Sequence, residues 1–571
     1  MTSLTTNFLH VTARPQSGRV WLFGGALVAA FVAAPIAAIG ILALFPAENI
    51  WGHLISTVLP RHSWNTLLLM LGNGLGVFLI GTCTAWLTSP CRFPGRRILE
   101  WALLLPLAVP AYIVAFVYTD ILEFAGPVQG LLRDVFGWTS ARDYWFPEIR
   151  SMGGAIYVMS FVLYPYVYLL AKASFQEQSA GLLEVARTLG HGPWQTFFCV
   201  ALPLARPAIV FGIALALMET LADFGTVDFF AVNTLTRSVF NVWLGMGNAG
   251  GAAQIALVML AFVLLVIGLE RVGRRGRRYH QTSNRYTAAP GYELRGLRAA
   301  CAIMACLAPI VIGFLIPAGV LLRHAVVFFD ESWNASFLTF ARNSLLLATL
   351  AALAVIAVAV FLAYGQRLSP SRGFAVLARI SLLGYAVPGA VLAVGVLVPF
   401  ARFDNAVDGL MREWFGLSTG LLLSGTIFAL VFAYLVRFLA VGFGAVEASL
   451  GQVRPTMDMA ARSLGAGPGR TLWRIHLPLI RGSLLAGATI VFVDTMKELP
   501  ATLILRPFNF GTLATHVYQF ASDELLEQSA LSALTIVIAG VVPVILLSRA
   551  MNRARRGTPQ MQTGPLQIGH I

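Results

Sequence analysis

The stretch Glu184–Pro203, EVARTLGHGPWQTFFCVALP, returns as Met459–Pro478, MAARSLGAGPGRTLWRIHLP, 275 positions later and without a gap. Gly190 answers Gly465, Gly192-Pro193 answers Gly467-Pro468, and Leu202-Pro203 answers Leu477-Pro478. Repetition on this scale states how many structural units the chain holds, so it is read first. Leu182, Ala186 and Leu189 fall at i, i+4 and i+7, one face of a helix, and Met457, Ala461 and Leu464 repeat that face. Gly190 and Gly465 follow the last apolar residue, the usual place of a left-handed cap. The Gly-Pro pairs force a turn, and Pro203 and Pro478 suit the first turn of a new helix. The expected structure is helix, tight turn, short helix, then a long apolar helix. One copy could be an amphipathic connector packed on its own protein; two copies with the same punctuation point to a shared docking role.

The 571 residues are 57% hydrophobic and 12% charged, far from a soluble composition. Apolar runs of roughly 20 residues, long enough to cross a bilayer, recur throughout. They lie near 20–44, 64–88, 99–118, 153–171, 207–230 and 251–269, then near 299–322, 343–365, 375–401, 419–440, 483–505 and 529–548. The run at 20–44 is too long for a signal-peptide core and reads as a retained anchor. The expected fold is an all-α integral membrane protein of two tandem parallel six-helix transmembrane modules, about 12 spans. Parallel copies set a pseudo-two-fold axis along the membrane normal, with a pathway between the halves. The division reads as 1–60, an N-terminal segment and first span; 61–270, the first module; 271–298, a basic linker; 299–338, span seven and an external loop; 339–548, the second module; and 549–571, a basic tail.

The net charge of +14 concentrates on segments sharing a side with the N-terminus, which places both termini, the linker and both copies of the repeat in the cytoplasm. Arg271, Arg274, Arg275, Arg277 and Arg278 read as a charged stop after a span rather than a nucleic-acid patch. The loops near 119–152 and 402–416 mix charge and aromatics, including Arg142-Asp143, Trp145, Arg412 and Trp414. They suit either a soluble partner or plain solvation.

The repeat extends further. Trp64-Asn65-Thr66-Leu67 parallels Arg342-Asn343-Ser344-Leu345, and Val109-Pro110 parallels Val387-Pro388, both at offset 278. Thr234-Leu235 parallels Thr512-Leu513. Glu219 and Asp223, four apart on one helical face, align with Asp494 and Glu498, beside Lys497. A charge at the bilayer centre costs about 2.5–3.5 kcal/mol on insertion scales, so such segments face a cavity or a partner charge. One reading makes these five residues a polar lining of the pathway, suited to a cation. The other makes Lys497 neutralise Asp494 or Glu498, with Asp223 near the outer headgroups.

The five cysteines lack metal-site spacing, and no metal site or disulfide framework is inferred. A phosphate-cradling loop needs Gly-Lys-Ser/Thr, and neither of the two lysines, Lys172 and Lys497, has those neighbours. No catalytic constellation is evident among the nine histidines. The chain reads as a transport subunit, not an enzyme.

The punctuation Glu184-Val185-Ala186, Gly190, Leu202-Pro203 resembles the cytoplasmic signature of permease subunits in binding-protein-dependent ABC importers of the type I kind. The second copy departs from it: Met459 stands at the Glu position, with Asp458 one residue early. The resemblance implies that Glu184, Ala186, Gly190, Leu202 and Pro203, with Asp458, Met459, Ala461, Gly465, Leu477 and Pro478, form two coupling helices on an ATPase. Residues 219–227 and 497–508 look like the ferric-iron branch, in which two modules are fused in one chain. That likeness implies two ATPase copies that hold the ATP and Mg, a periplasmic binding protein delivering ferric iron, and a bacterial inner-membrane location. Related fused permeases are linked to thiamine, polyamines or phosphonates. The rival classes are an ion-gradient-driven secondary transporter, which the repeated docking motif disfavours, and a membrane-embedded enzyme or scaffold, which lacks a catalytic constellation.

Overall fold

In a computed structural model, residues 15–178, 188–190, 192–274, 292–369 and 371–556 are described. Twelve helices are long and apolar enough to cross a membrane among these residues. The first six are Val20–Leu44, Trp51–Thr88, Ala111–Phe136, Met152–Gln176, Trp194–Ala222 and Ala249–Gly273. The second six are Leu297–Val327, Ala335–Leu368, Gly389–Phe415, Ile427–Gln452, Pro468–Met496 and Leu526–Ile545. The six-plus-six reading matches this count, and the fold is all-α.

Four of the expected spans differ in one respect: the helix is broken inside the apolar run. The run at 99–118 contains a helix Arg96–Ala102, a 3-10 turn Leu105–Ala108, then a new helix from Ala111. The run at 375–401 repeats this, with Arg372–Ser381, Leu383–Ala386 and a new helix from Gly389. Each break falls at Val-Pro. Val109 and Val387 are extended because the ring of the following proline excludes the helical region. The runs at 207–230 and 483–505 also break, at Asp223-Phe224 and Lys497–Leu499, before short helices Gly225–Phe229 and Pro500–Leu505. In addition, residues 402–415 are not a loop; they belong to the C-terminal half of helix Gly389–Phe415, which Gly416 caps in the left-handed conformation. Residues 119–152 include a helix, Pro127–Phe136. Beyond it, backbone N–H groups of Thr139 and Ser140 donate to Asp143 and hold its carboxyl below the usual range.

The polar residues of the repeat prove to be each other's partners. Asn65 donates through Nδ2 to the carbonyl of Asn233 at 2.9 Å, and Asn343 does the same to Gly511 at 3.0 Å. The hydroxyls of Thr66 and Ser344 accept the backbone N–H of Leu235 and Leu513 at 3.0 and 2.8 Å. Each half thus fastens its second helix to the segment that follows its broken helix. Buried backbone groups inside a membrane need such partners, which is why these side chains recur.

The halves interlock. The first span packs on the second half: Trp21 stacks on Phe361 at 5.0 Å, and a side chain at Gly24, Gly25 or Gly395 would collide with Phe361, Phe374 or Pro35. The seventh span packs on the first half, where Tyr118 donates to the carbonyl of Ile312 at 2.8 Å and Gly313 rides against Phe161 and Pro106. Both hydrophobic cores accordingly mix residues of the two halves. The linker returns as Tyr292–Glu293, which pairs in parallel with Cys91–Arg92. Burial there pushes the Cys91 thiol up to about 11.

Candidate functional site

The four helix breaks meet between the halves and line a cavity of about 140 Å³. Non-helical backbone at membrane depth survives only where it lines such a space. Its wall includes Val109–Tyr112 and Val387-Pro388 from one pair of breaks, and Asp223–Gly225 and Lys497–Pro500 from the other. Glu219, Asp223, Asp494, Lys497 and Glu498, singled out in the sequence, all line it. Asp223 therefore lines the cavity together with the other four.

Two of the acids build the breaks. Asp223, one residue before the N-cap Phe224, accepts the backbone N–H of Thr226 at 2.9 Å and its hydroxyl at 3.0 Å and so holds the first turn of Gly225–Phe229. Glu498, its counterpart, accepts the backbone N–H groups of Ala501 and Thr502, both at 3.1 Å, and holds the first turn of Pro500–Leu505. The Thr502 hydroxyl lies 2.9 Å from the same carboxylate and 2.5 Å from the Tyr434 hydroxyl. Lys497 pairs with Asp494 at 2.8 Å, and not with Glu498. Glu498 instead takes Arg437 at 3.0 Å. Arg437, Tyr112, Tyr166 and Tyr385 complete the polar lining. None of these four was singled out in the sequence. Arg437 is paired across 61 positions, and its counterpart at offset 275 is Val162, so the repeat offers no sign of it.

Near the cavity a second polar set crosses between the halves. Asp228 holds Arg237 at 2.8 Å through Oδ1 and accepts the Tyr518 hydroxyl at 2.6 Å through Oδ2. The Tyr518 ring lies 5.7 Å from Phe224, which stacks on Phe240. At the end of the molecule away from the repeat, Arg150 pairs with Glu123 and, 2.9 Å away, with Glu524 of the other half.

The repeated loops form the second candidate site. Glu184 and Ala186 lie outside the described residues. Gly190 and Gly465 adopt φ of 82° and 76°, as their capping role requires. In the second copy, helix Pro455–Ser463 ends at this turn, and helix Pro468–Thr471 runs on through a π-turn into Leu477–Met496. The same π-turn, Phe197–Ala201, precedes Leu202–Ala222, so the short and long helices are continuous rather than separate. Leu202 and Leu477 are half-buried at this joint, while Pro203 and Pro478 face outward. Ala461 is buried, whereas Met459, Leu464 and Leu189 are exposed, Leu464 by 85%. Asp458 is held within the chain, 2.8 Å from Arg367 and 2.6 Å from His476. Arg367 also reaches the carbonyls of Leu450 and Val453, so a polar clamp fixes the second loop. On the first half, Trp86, Phe175 and Phe197 form an aromatic cluster at the corresponding place.

A family profile described as binding-protein-dependent transport system inner membrane component matches residues 78–278 and again 355–557. The chain is 26% identical to an Fe(3+)-transport system permease protein of Haemophilus influenzae over 489 residues, 85% of this chain and 89% of that one. It is 28% identical to a molybdenum transport system permease protein of Escherichia coli over 236 residues, 38% of this chain and all of that one. A sulfate transport system permease protein of Escherichia coli is 31% identical over 197 residues, 34% of this chain and 67% of that one.

Proposed function

This chain belongs to the family of binding-protein-dependent transport system inner membrane components, and on that premise we propose that its cargo is ferric iron. It is a multi-pass inner-membrane permease, built from two modules in one chain. The observation that carries the cargo reading is the charge of the cavity: four acids, Glu219, Asp223, Asp494 and Glu498, against two cations, Arg437 and Lys497. An excess of carboxylates in a poorly hydrated space attracts cations and repels anions. The full-length likeness to an Fe(3+)-transport permease supports the same cargo.

In this reading a periplasmic binding protein delivers the ion, and two copies of a separate ATPase supply the energy. Each copy takes one repeated loop, with Gly190 and Gly465 setting the turn and exposed Leu189 and Leu464 entering the partner's groove. ATP-driven approach of the two loops opens the halves on the far side. Both termini and both loops lie in the cytoplasm; a cysteine at Ser283 then labels with an impermeant thiol reagent only after lysis. Labelling in intact cells would overturn that orientation.

The cargo test is uptake by proteoliposomes holding this chain, its ATPase and its binding protein. ATP-dependent accumulation of ferric iron is expected. Accumulation of molybdate or sulfate instead, molybdenum and sulfate being named for the shorter relatives, would move Arg437 and Lys497 to the centre of the site and refute the iron reading.

A further inference from the structure

Three of the four cavity acids have committed oxygens: Asp223 and Glu498 hold the first turns of helices, and Asp494 holds Lys497. Glu219 is different. Among the described residues its carboxylate makes no hydrogen bond and no ion pair within 4.0 Å, although the charges of Arg437 and Lys497 act on it through space. A second observation stands apart from the acids. Tyr112 is 4% exposed and lines the cavity, yet its phenol oxygen has no hydrogen-bond partner among the described residues. Leaving such a group unpaired costs on the order of 1–3 kcal/mol. A chain tolerates that where a visiting ligand supplies the partner. Tyr166 and Tyr385, one from each half, line the same cavity, and Tyr166 lies within electrostatic reach of Glu219 and Tyr385.

The uncommitted donors are thus one carboxylate and three phenols, all oxygen. Apart from the Met159 and Met218 thioethers, the lining holds no sulfur, and it holds no imidazole. Oxygen donors suit hard cations and not soft ones. A space of about 140 Å³ admits an ion together with waters of its hydration shell.

We propose that Glu219, Tyr112, Tyr166 and Tyr385 form a transit site for a hard, highly charged metal cation. The proposal rests on the cation reading above and narrows it to a ligand set. A phenol that coordinates gives its proton to water and binds as phenolate. Arg437 and the Asp494–Lys497 pair beside it limit the negative field, so the ion is not held too tightly to leave.

The test uses the purified complex of this chain with its ATPase in nanodiscs, with ferric nitrilotriacetate as probe. Phenolate bound to ferric iron gives a charge-transfer absorption in the visible. The wild type is expected to develop this band. Glu219→Gln should weaken binding about tenfold or more, and Tyr166→Phe and Tyr385→Phe should each reduce the band. These tyrosine changes remove one oxygen and keep the ring, so they preserve packing if a larger change does not. No band in the wild type, or a full band in the Tyr112→Phe/Tyr166→Phe/Tyr385→Phe triple variant, overturns the site. Iron uptake by a wild type without the band would sink this site and keep the cargo reading. A band without ATP-dependent iron uptake would do the reverse.

Discussion

A side chain at Gly389 would collide with the Arg437 guanidinium and the Glu498 carboxylate, so this glycine is the space in which that ion pair sits. Removing one partner of a buried pair leaves an uncompensated charge, at a cost of roughly 3–5 kcal/mol. Arg437→Met should therefore lower the membrane abundance and melting temperature of the protein, and adding Glu498→Gln should recover most of the loss. Unchanged stability in the single variant would remove Arg437 from the framework. A β-carbon at Gly190 meets open space but a left-handed backbone, with strain of about 1–2 kcal/mol. Gly190→Val should leave membrane insertion intact and reduce co-purification of the ATPase; normal ATP-dependent uptake would disprove the docking role. On the same loop, Glu184→Ala should impair transport more than Met459→Ala. Equal, negligible losses would mean the acid carries no coupling. At this scale the sequence revealed what repeats: the glycines, the prolines and the acids at equivalent places. Arg437, Tyr166 and Tyr385 escaped because they break the symmetry, and their partners are distant in the chain.

Helices that stop mid-membrane are the elements on which this molecule turns. The Val-Pro pairs at 109–110 and 387–388 were visible as repeats, but a proline in an apolar run marks a kink as readily as a break. Only the convergence of four breaks on one cavity distinguishes them, and convergence is a tertiary property. The elements beyond the breaks carry the contacts Asp228–Tyr518 and Arg150–Glu524 across the halves. In the proposed mechanism, opening toward the binding protein parts them. Loss of 1–2 kcal/mol of closing energy shifts a two-state balance roughly five- to thirty-fold. Tyr518→Phe combined with Glu524→Gln should thus raise ATP hydrolysis measured without binding protein by a few-fold. A rate equal to the wild type would show that these contacts do not hold the closed state.

Two tandem modules were legible across the whole molecule from offsets of 275 and 278. That the first span of each module would pack on the other was not, because an all-round apolar helix records no address. Deleting residues 1–45 should consequently destabilise the second half, to which Trp21 and Pro35 belong by packing. Limited proteolysis would detect this as faster cleavage between Ser369 and Gly389, whereas cleavage confined to the first half would contradict it. The crossed packing also sets a timetable for the ribosome. The anchor helix emerges first, yet its seat around Phe361, Phe374 and Gly395 is made more than 300 residues later. At about 5–20 residues per second, it waits tens of seconds in lipid before its second-half partners exist, with the sixth span of its own half the earlier of its neighbours. The nascent chain must therefore remain open until the ninth span is inserted, and the order of its assembly cannot follow the order of its modules.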